Sequence, residues 1–271
     1  MAPLFIDGIA LWAPSLPGWD AARLAFRSES PAAGAPVVPV ALAKRPAPQM
    51  LPPAERRRAP DTVAVALEAA AAAVAASGHD ARQLPSIFTS AHGDLGVNDY
   101  MCAMLATTPS LLSPTKFHNS VHNAAAGYWT MGCGCHEAST ALTAFEHSFA
   151  NGLLAAAVQC AADSRAVLLV GYDVAAVGAL ASVTRSDGLL GVALVLSPER
   201  GAKSVARLDW SLQDGPRPAV RLQSAAATAL SGNAMADALP LFEALARAAD
   251  QTTISLPLSA FQSLHLTLSF D

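Results

Sequence analysis

Apolar residues fill most of Leu4 to Ala13 and run into a turn at Pro14, Pro17 and Gly18, which predicts an opening strand. Asp61 is placed to cap an alanine-rich helix over Thr62 to Ser77, and Gly78 to stop it. Ser86 to Ser90 predicts a short strand that enters Ala91-His92-Gly93-Asp94. A helix over 97–106, a loop from Pro109 to Asn123 and a helix over Ala124 to Met131 follow. Next come a strand at 139–146 and a helix at 150–163. Ala166 to Asp173 and Gly191 to Ser197 are unbroken apolar runs bounded by turn residues, the pattern of strands buried on both faces. Val205 to Leu212 predicts a third strand of this group. A helix near 233–249 and a closing strand pair near Thr252–Leu258 and Ser263–Phe270 complete the chain. Residues 28–60, rich in Pro and Ala and carrying Lys44, Arg45, Arg56, Arg57 and Arg58, read as a surface excursion. Strands alternating with helices predict an α/β layer structure around a mostly buried sheet, with no repeat at solenoid spacing.

Composition narrows this picture. Of the 271 residues, 52% are hydrophobic and 14% charged, against roughly a quarter charged in ordinary soluble domains. A sizeable core is expected, and so is an apolar patch of surface covered by a partner. The net charge of -4 excludes a global nucleic-acid signature. The residues after Met1 lack a basic stretch followed by a long apolar run, so no signal peptide is expected. The apolar run Leu153 to Ala162 is shorter than the ~20 residues of a membrane span. The expected location is the cytoplasm, where Cys102, Cys133, Cys135 and Cys160 stay reduced.

The segment from Gly134 to Ala156 carries the chemistry. It reads as an apolar strand, a sharp turn and a helix that begins near Phe149. Such a turn exposes one side chain, and the helix N-terminus beside it stabilises negative charge. Phe149 reads as the presented residue, and a phenyl ring cannot be a nucleophile.

Several segments, in order, resemble the N-terminal half of β-ketoacyl synthases, which have the thiolase fold. Phe5 to Pro14 resembles their first strand and turn, and Phe88 to Asp94 their second strand and glycine loop. Asn123-Ala-Ala-Ala-Gly-Tyr-Trp-Thr-Met131 is similar to their Asn-x-Ala-Ala-Gly helix. Ala166–Asp173 and Asp187–Glu199 resemble the strands that follow the nucleophile helix. Within this family the short proteins called β-ketoacyl synthase chain length factors, of aryl-polyene and xanthomonadin-type clusters, are the nearest likeness. Arg56-Arg57-Arg58, His118 to Trp129 and Ser148 to Leu154 carry that part of the resemblance.

The resemblance implies an α/β fold: a thiolase-like half-fold with a mostly buried, mixed five-stranded sheet and helices on both faces, over residues 1–215. A small C-terminal α+β extension over 216–271 would pack on it. It also implies two losses. Synthases place their cysteine in a Thr-Ala-Cys elbow before a Gly-Leu pair. Matching Gly152-Leu153 puts Phe149 there, and a second register puts Ala138 there. The His-Gly-Thr-Gly-Thr loop of the synthases' C-terminal half is absent from this sequence. The implied function is a non-catalytic chain-length-factor protein in polyketide or fatty-acid-type pigment assembly. Its partners would be a ketosynthase subunit or itself, joined through strand 138–146, and an acyl carrier protein. No cofactor and no metal are expected.

Other readings stay open. His118, His122, Cys133, Cys135 and His136 are zinc-ligand types, although Cys-x-Cys lacks the usual spacing. Cys135 with His136 could make an acyltransferase or thioesterase-like enzyme, although neighbours on an extended segment face opposite ways. His118, His122, Asn123 and Phe149 are acyl-cavity candidates; for Asn123 the alternative is a helix cap. Arg56, Arg57 and Arg58 are either a carrier-protein dock or a solvated basic run. His147-Ser148 lacks an acid partner for a dyad. A lipid- or carrier-binding protein without a synthase partner is the third class.

Overall fold

The computed structural model describes residues 1–28, 43, 45–215 and 220–270. Residues 29–42 and Lys44 of the surface excursion expected at 28–60 lie outside the described residues.

In chain order the strands are β1 (Leu4–Ala13), β2 (Leu16–Pro17), β3 (Ser86–Thr89), β4 (Ser139–Leu142), β5 (Val167–Val174), β6 (Leu189–Ser197), β7 (Ala206–Asp214), β8 (Thr252–Pro257) and β9 (Gln262–Ser269). The helices are α1 (Trp19–Arg27), α2 (Pro53–Arg58), α3 (Asp61–Ser77), α4 (Leu95–Thr107), α5 (Pro114–His118), α6 (Ala124–Cys133), α7 (Ser148–Asp163), α8 (Ala225–Ala229) and α9 (Leu239–Arg247).

All strands belong to one mixed sheet of order β4-β3-β5-β6-β1-β7-β9-β8, with β2 hairpinned onto β1. The expected five-stranded sheet is its β4-to-β1 portion. The sheet continues past five strands because β7 pairs antiparallel with both β1 and β9. The C-terminal strands therefore extend the same sheet instead of packing on it. Only β4, β3 and β5 run parallel. Their connections carry helices, as parallel pairing requires.

The unbroken apolar runs of β5 and β6 are buried on both faces, as their lack of alternation predicts. One face packs against α3 and α6 through Leu67, Trp129, Leu168 and Tyr172. The other packs against α1, α7 and α9 through Phe26, Leu153, Leu169 and Phe242. The second face is thus built from late sequence as well as early. At a bulge in β1, Gly8 lets α3 approach so closely that an added Cβ would lie 2.1 Å from the Ala73 carbonyl oxygen. The neighbouring buried Asp7 accepts hydrogen bonds from the Ser197 hydroxyl and, at 2.6 Å, from Ser204, and contacts His79 Nε2 at 2.9 Å. Four polar groups from distant segments thereby satisfy one another inside the fold.

Three local expectations are corrected. The loop expected over Pro109 to Asn123 contains a 3-10 turn and α5, whose first turn is capped by the Ser113 side chain. The helix expected at 233–249 begins as a helix only at Leu239, after a 3-10 turn at Ala236–Ala238. The strand expected at 139–146 ends at Leu142, because the chain then turns sharply. Among the described residues no helix is long and apolar enough to cross a membrane.

Candidate functional site

The turn that follows β4 organises the site. Ser139–Leu142 pairs on one side with β3 and ends the sheet, so its other side is an open edge. Thr143 then donates its hydroxyl to the Ala91 carbonyl at 3.0 Å. Phe145 adopts φ 54°, a left-handed conformation rare for a bulky residue. A 3-10 turn over Phe145–His147 leads directly into α7. Ser148 locks the geometry: its hydroxyl donates to the Phe145 carbonyl at 2.7 Å and accepts from the Ala144 N–H at 3.0 Å. The Thr89 hydroxyl holds the Ser148 carbonyl at 2.9 Å.

Phe145 is therefore the residue presented at the strand–helix turn, and it is 55% exposed. The expectation that Phe149 occupies this position is corrected. Phe149 lies in the first turn of α7, fully buried, edge-on to Phe242 at 5.9 Å. Ala138, the residue of the other register, precedes β4.

Beside the turn lies a cleft of about 600 Å³, lined in part by Ala91, His92, Phe145, Thr184, Asn233 and Asp237. Four separate segments build it. The His92 ring stands edge-on to Phe145 at 5.4 Å, and its Nε2 lies 2.6 Å from the Thr184 hydroxyl. Burial holds His92 below the ordinary histidine range. Asn233 fixes the far wall by donating to the carbonyls of Asp187 at 2.9 Å and Asp173 at 3.3 Å. Asp237 reaches the start of α7, where Oδ2 accepts the Ala150 N–H at 3.2 Å. Burial pushes the Asp237 carboxyl up to about 7, against the lowering effect of these backbone donors. Behind the cleft, Asp173 accepts from Ser90 and Ala91 and is pushed up by burial to about 6.

The residues singled out in the sequence are dispersed. Cys135 is buried, with its thiol 3.5 Å from the Leu84 carbonyl, and His136 is exposed. Cys133 faces the Ala81 carbonyl at 3.9 Å, and burial pushes its thiol up. His118 is exposed, its ring edge-on to Tyr128. His122 contacts the Ser90 carbonyl through Nε2 at 3.0 Å and so supports the loop behind the cleft. Asn123 occupies the capping position of α6 but makes no side-chain cap. None of His118, His122, Asn123 and Phe149 lines the 600 Å³ cleft. Among the described residues no three His, Cys, Asp or Glu side chains are grouped so as to hold a metal ion. Arg56, Arg57 and Arg58 form the last turn of α2. Arg56 donates to the Leu51 carbonyl at 3.0 Å, Arg58 pairs with Glu55 at 3.7 Å, and Arg57 and Arg58 are exposed.

The fold is that of the thiolase-like ketosynthases. A chain of the ketosynthase ApeO in complex with its chain length factor ApeC, from Xenorhabdus doucetiae, superposes with a TM-score of 0.73 at 22% identity, covering 98% of this chain and 100% of that one. A chain of AntDE:AntF, a type II acyl carrier protein in complex with its ketosynthase, gives 0.75 at 12% identity over 100% and 99%. The ishigamide ketosynthase/chain length factor gives 0.72 at 12% identity over 100% and 99%. No curated protein sequence matches the chain. The family model for the beta-ketoacyl synthase N-terminal domain matches residues 31–262, and the chain belongs to that family.

Proposed function

We propose that this chain is a chain-length-factor partner of a ketosynthase, in aryl-polyene or related polyketide and fatty-acid-type pigment assembly, without condensing chemistry of its own. The observation that carries the reading is Phe145 at the left-handed turn before α7. Thr143-Ala144 precedes it, as Thr-Ala precedes the cysteine in the synthase motif. A phenyl ring there cannot form the acyl thioester that condensation needs. The open edge of β4 supports a partner, because an unpaired parallel edge presents free backbone N–H and C=O groups. The solved complexes of ketosynthases with chain length factors and with carrier protein support the choice of partners. The exposed guanidinium groups of Arg57 and Arg58 on α2 suit an acidic carrier protein.

The test is co-expression with a candidate ketosynthase from the same source, followed by size-exclusion chromatography and intact-mass analysis after incubation with an acyl thioester. A stable one-to-one complex, with acylation confined to the ketosynthase, is the expected result. Covalent acylation of this chain, or its elution apart from every such ketosynthase, overturns the reading.

A further inference from the structure

We infer that Cys133 and Cys135 are a reversible modification site, a disulfide that closes and opens by exchange with a small thiol–disulfide couple such as glutathione. This chemistry stands whether or not the partner reading does.

Three observations carry it. The first is the backbone. Gly134 joins the two cysteines at the end of α6 with φ 67° and ψ 33°, the mirror image of a helical residue. Helical rise and radius then set the Cα atoms of its two neighbours about 5.4 Å apart. That lies within the roughly 4.4–6.8 Å that a disulfide spans. The second is the meeting of the side chains. The Cys135 thiol lies close enough to Cys133 to help keep it protonated, and the Cys135 N–H points at the Cys133 sulfur. The third is unequal exposure. Cys133 is partly exposed and lines a groove of about 330 Å³ with Ala81, Trp129 and Gly132, whereas Cys135 is buried. One thiol is open to a dissolved disulfide, and the other waits beside it to resolve the product.

The Cys133 thiolate attacks one sulfur of oxidised glutathione, and one glutathione thiolate leaves. The Cys135 thiolate then attacks Cys133 Sγ, which forms the Cys133–Cys135 bond and expels the second glutathione thiolate. The chain gives up two electrons and two protons, and two molecules of reduced glutathione carry them away. Burial pushes the Cys133 thiol up, so little thiolate is present near neutral pH and the exchange is slow. The site therefore follows a sustained change in thiol poise and not a brief pulse of oxidant. Closure withdraws both S–H groups from the Ala81 and Leu84 carbonyls, contacts that tie the end of α6 to the turn before β3. Cys160, buried with its thiol pushed up to about 12, stays out of the exchange. Cys102, exposed on α4, serves as the reference for simple mixed-disulfide formation.

The test equilibrates the full chain in buffers of reduced and oxidised glutathione, quenches with acid, alkylates the free thiols and maps the products by mass. Chymotryptic cleavage after Trp129 and Phe145 separates Cys133 and Cys135 from Cys102 and Cys160. The peptide with Cys133 and Cys135 is expected to lose two hydrogens and to escape alkylation. Its ratio of disulfide to dithiol should change about tenfold for each tenfold change in the ratio of oxidised glutathione to the square of reduced glutathione, as for any two-electron couple. Cys135→Ser should stop at the mixed disulfide, with glutathione retained on Cys133. Cys133→Ser should leave Cys135 unmodified. The wild-type map needs no substitution, so it decides the matter even where a variant does not fold. A dithiol that persists in fully oxidised glutathione, a lasting mixed disulfide on wild-type Cys133, bonding to Cys102 or Cys160 instead, or closure only in urea overturns the inference.

Discussion

The Ser90 hydroxyl donates to Asp173 Oδ1 at 2.7 Å, while the same hydroxyl oxygen accepts the Gly93 N–H at 2.8 Å. Asp173 Oδ2 takes the Ala91 N–H at 2.9 Å. One carboxyl at the end of β5 thus shapes the loop that forms a wall of the cleft. Asp173→Ala strands the Ser90 hydroxyl and the Ala91 N–H in the interior. It should destabilise the protein by about 1–3 kcal/mol in urea denaturation, the usual cost of an unsatisfied buried group. A loss below experimental error would show that solvent reaches these groups.

Stability should fall as pH rises from about 4 to about 7. Asp173 and Asp237 are raised to about 6 and about 7 in the folded chain, chiefly by burial. Over that window the folded protein holds protons that the unfolded chain has released. Folding therefore takes up protons, and raising the pH opposes it. Each group contributes a slope of at most about 1.4 kcal/mol per pH unit. Asp237→Asn should flatten the upper part of the curve, measured as denaturation midpoint against pH. An unchanged slope would contradict the burial of Asp237.

The two phenylalanines around the turn should behave oppositely. Phe149→Ala empties a fully buried site against Phe242 and should cost about 3–5 kcal/mol. Phe145→Ala should change stability by no more than about 0.5 kcal/mol. In Phe145→Cys the new thiol should react with a maleimide at a rate comparable to that of the exposed Cys102, while in Phe149→Cys it should stay protected. Reversed reactivities would restore Phe149 to the turn.

The sequence is legible where burial alone decides structure. β1 matches its expected span, and β5 and β6 lie within two residues of theirs, because long apolar runs have few ways to be satisfied. The turn at Phe145 was harder. Ala141-Leu142-Thr143-Ala144 continues the strand pattern, and nothing in side-chain type announces the left-handed residue that ends it. The signal that was available was the Thr143-Ala144 pair, which outweighs the Gly152-Leu153 match used to choose Phe149. The cleft itself left no trace in spacing. His92, Phe145, Thr184 and Asp237 come from four segments joined only by the tertiary fold. Asp237 acquires its role from contact with the Ala150 N–H, a residue 87 positions away.

Ala141→Pro should abolish association through the sheet edge. The Ser86 and Ser90 N–H groups bond the Ala138 and Leu142 carbonyls, so in this parallel ladder the Ala141 N–H faces the open side of β4, where proline removes a donor and blocks further pairing. The backbone bonds to β3 are left in place. Thr140→Lys, which leaves the backbone intact, is the companion variant. Complex formation with a ketosynthase, followed by light scattering, should be lost in both. Retained assembly in the lysine variant would move the interface elsewhere.

The position of β1 in the sheet also dictates when the protein can fold. Both long neighbours of this first strand lie far along the chain: Phe5 faces Ser197 on β6, and Leu4 faces Leu208 on β7. At ribosomal speed β1 waits, apolar and without its long neighbours, until β6 and β7 have emerged. The parallel β3-β4-β5 layer can assemble earlier, so β1 is threaded late into the middle of a sheet already begun. A cell making this protein must shelter Leu4 to Ala13 for that interval, and slow or interrupted translation between β5 and β7 is the moment of greatest exposure to aggregation.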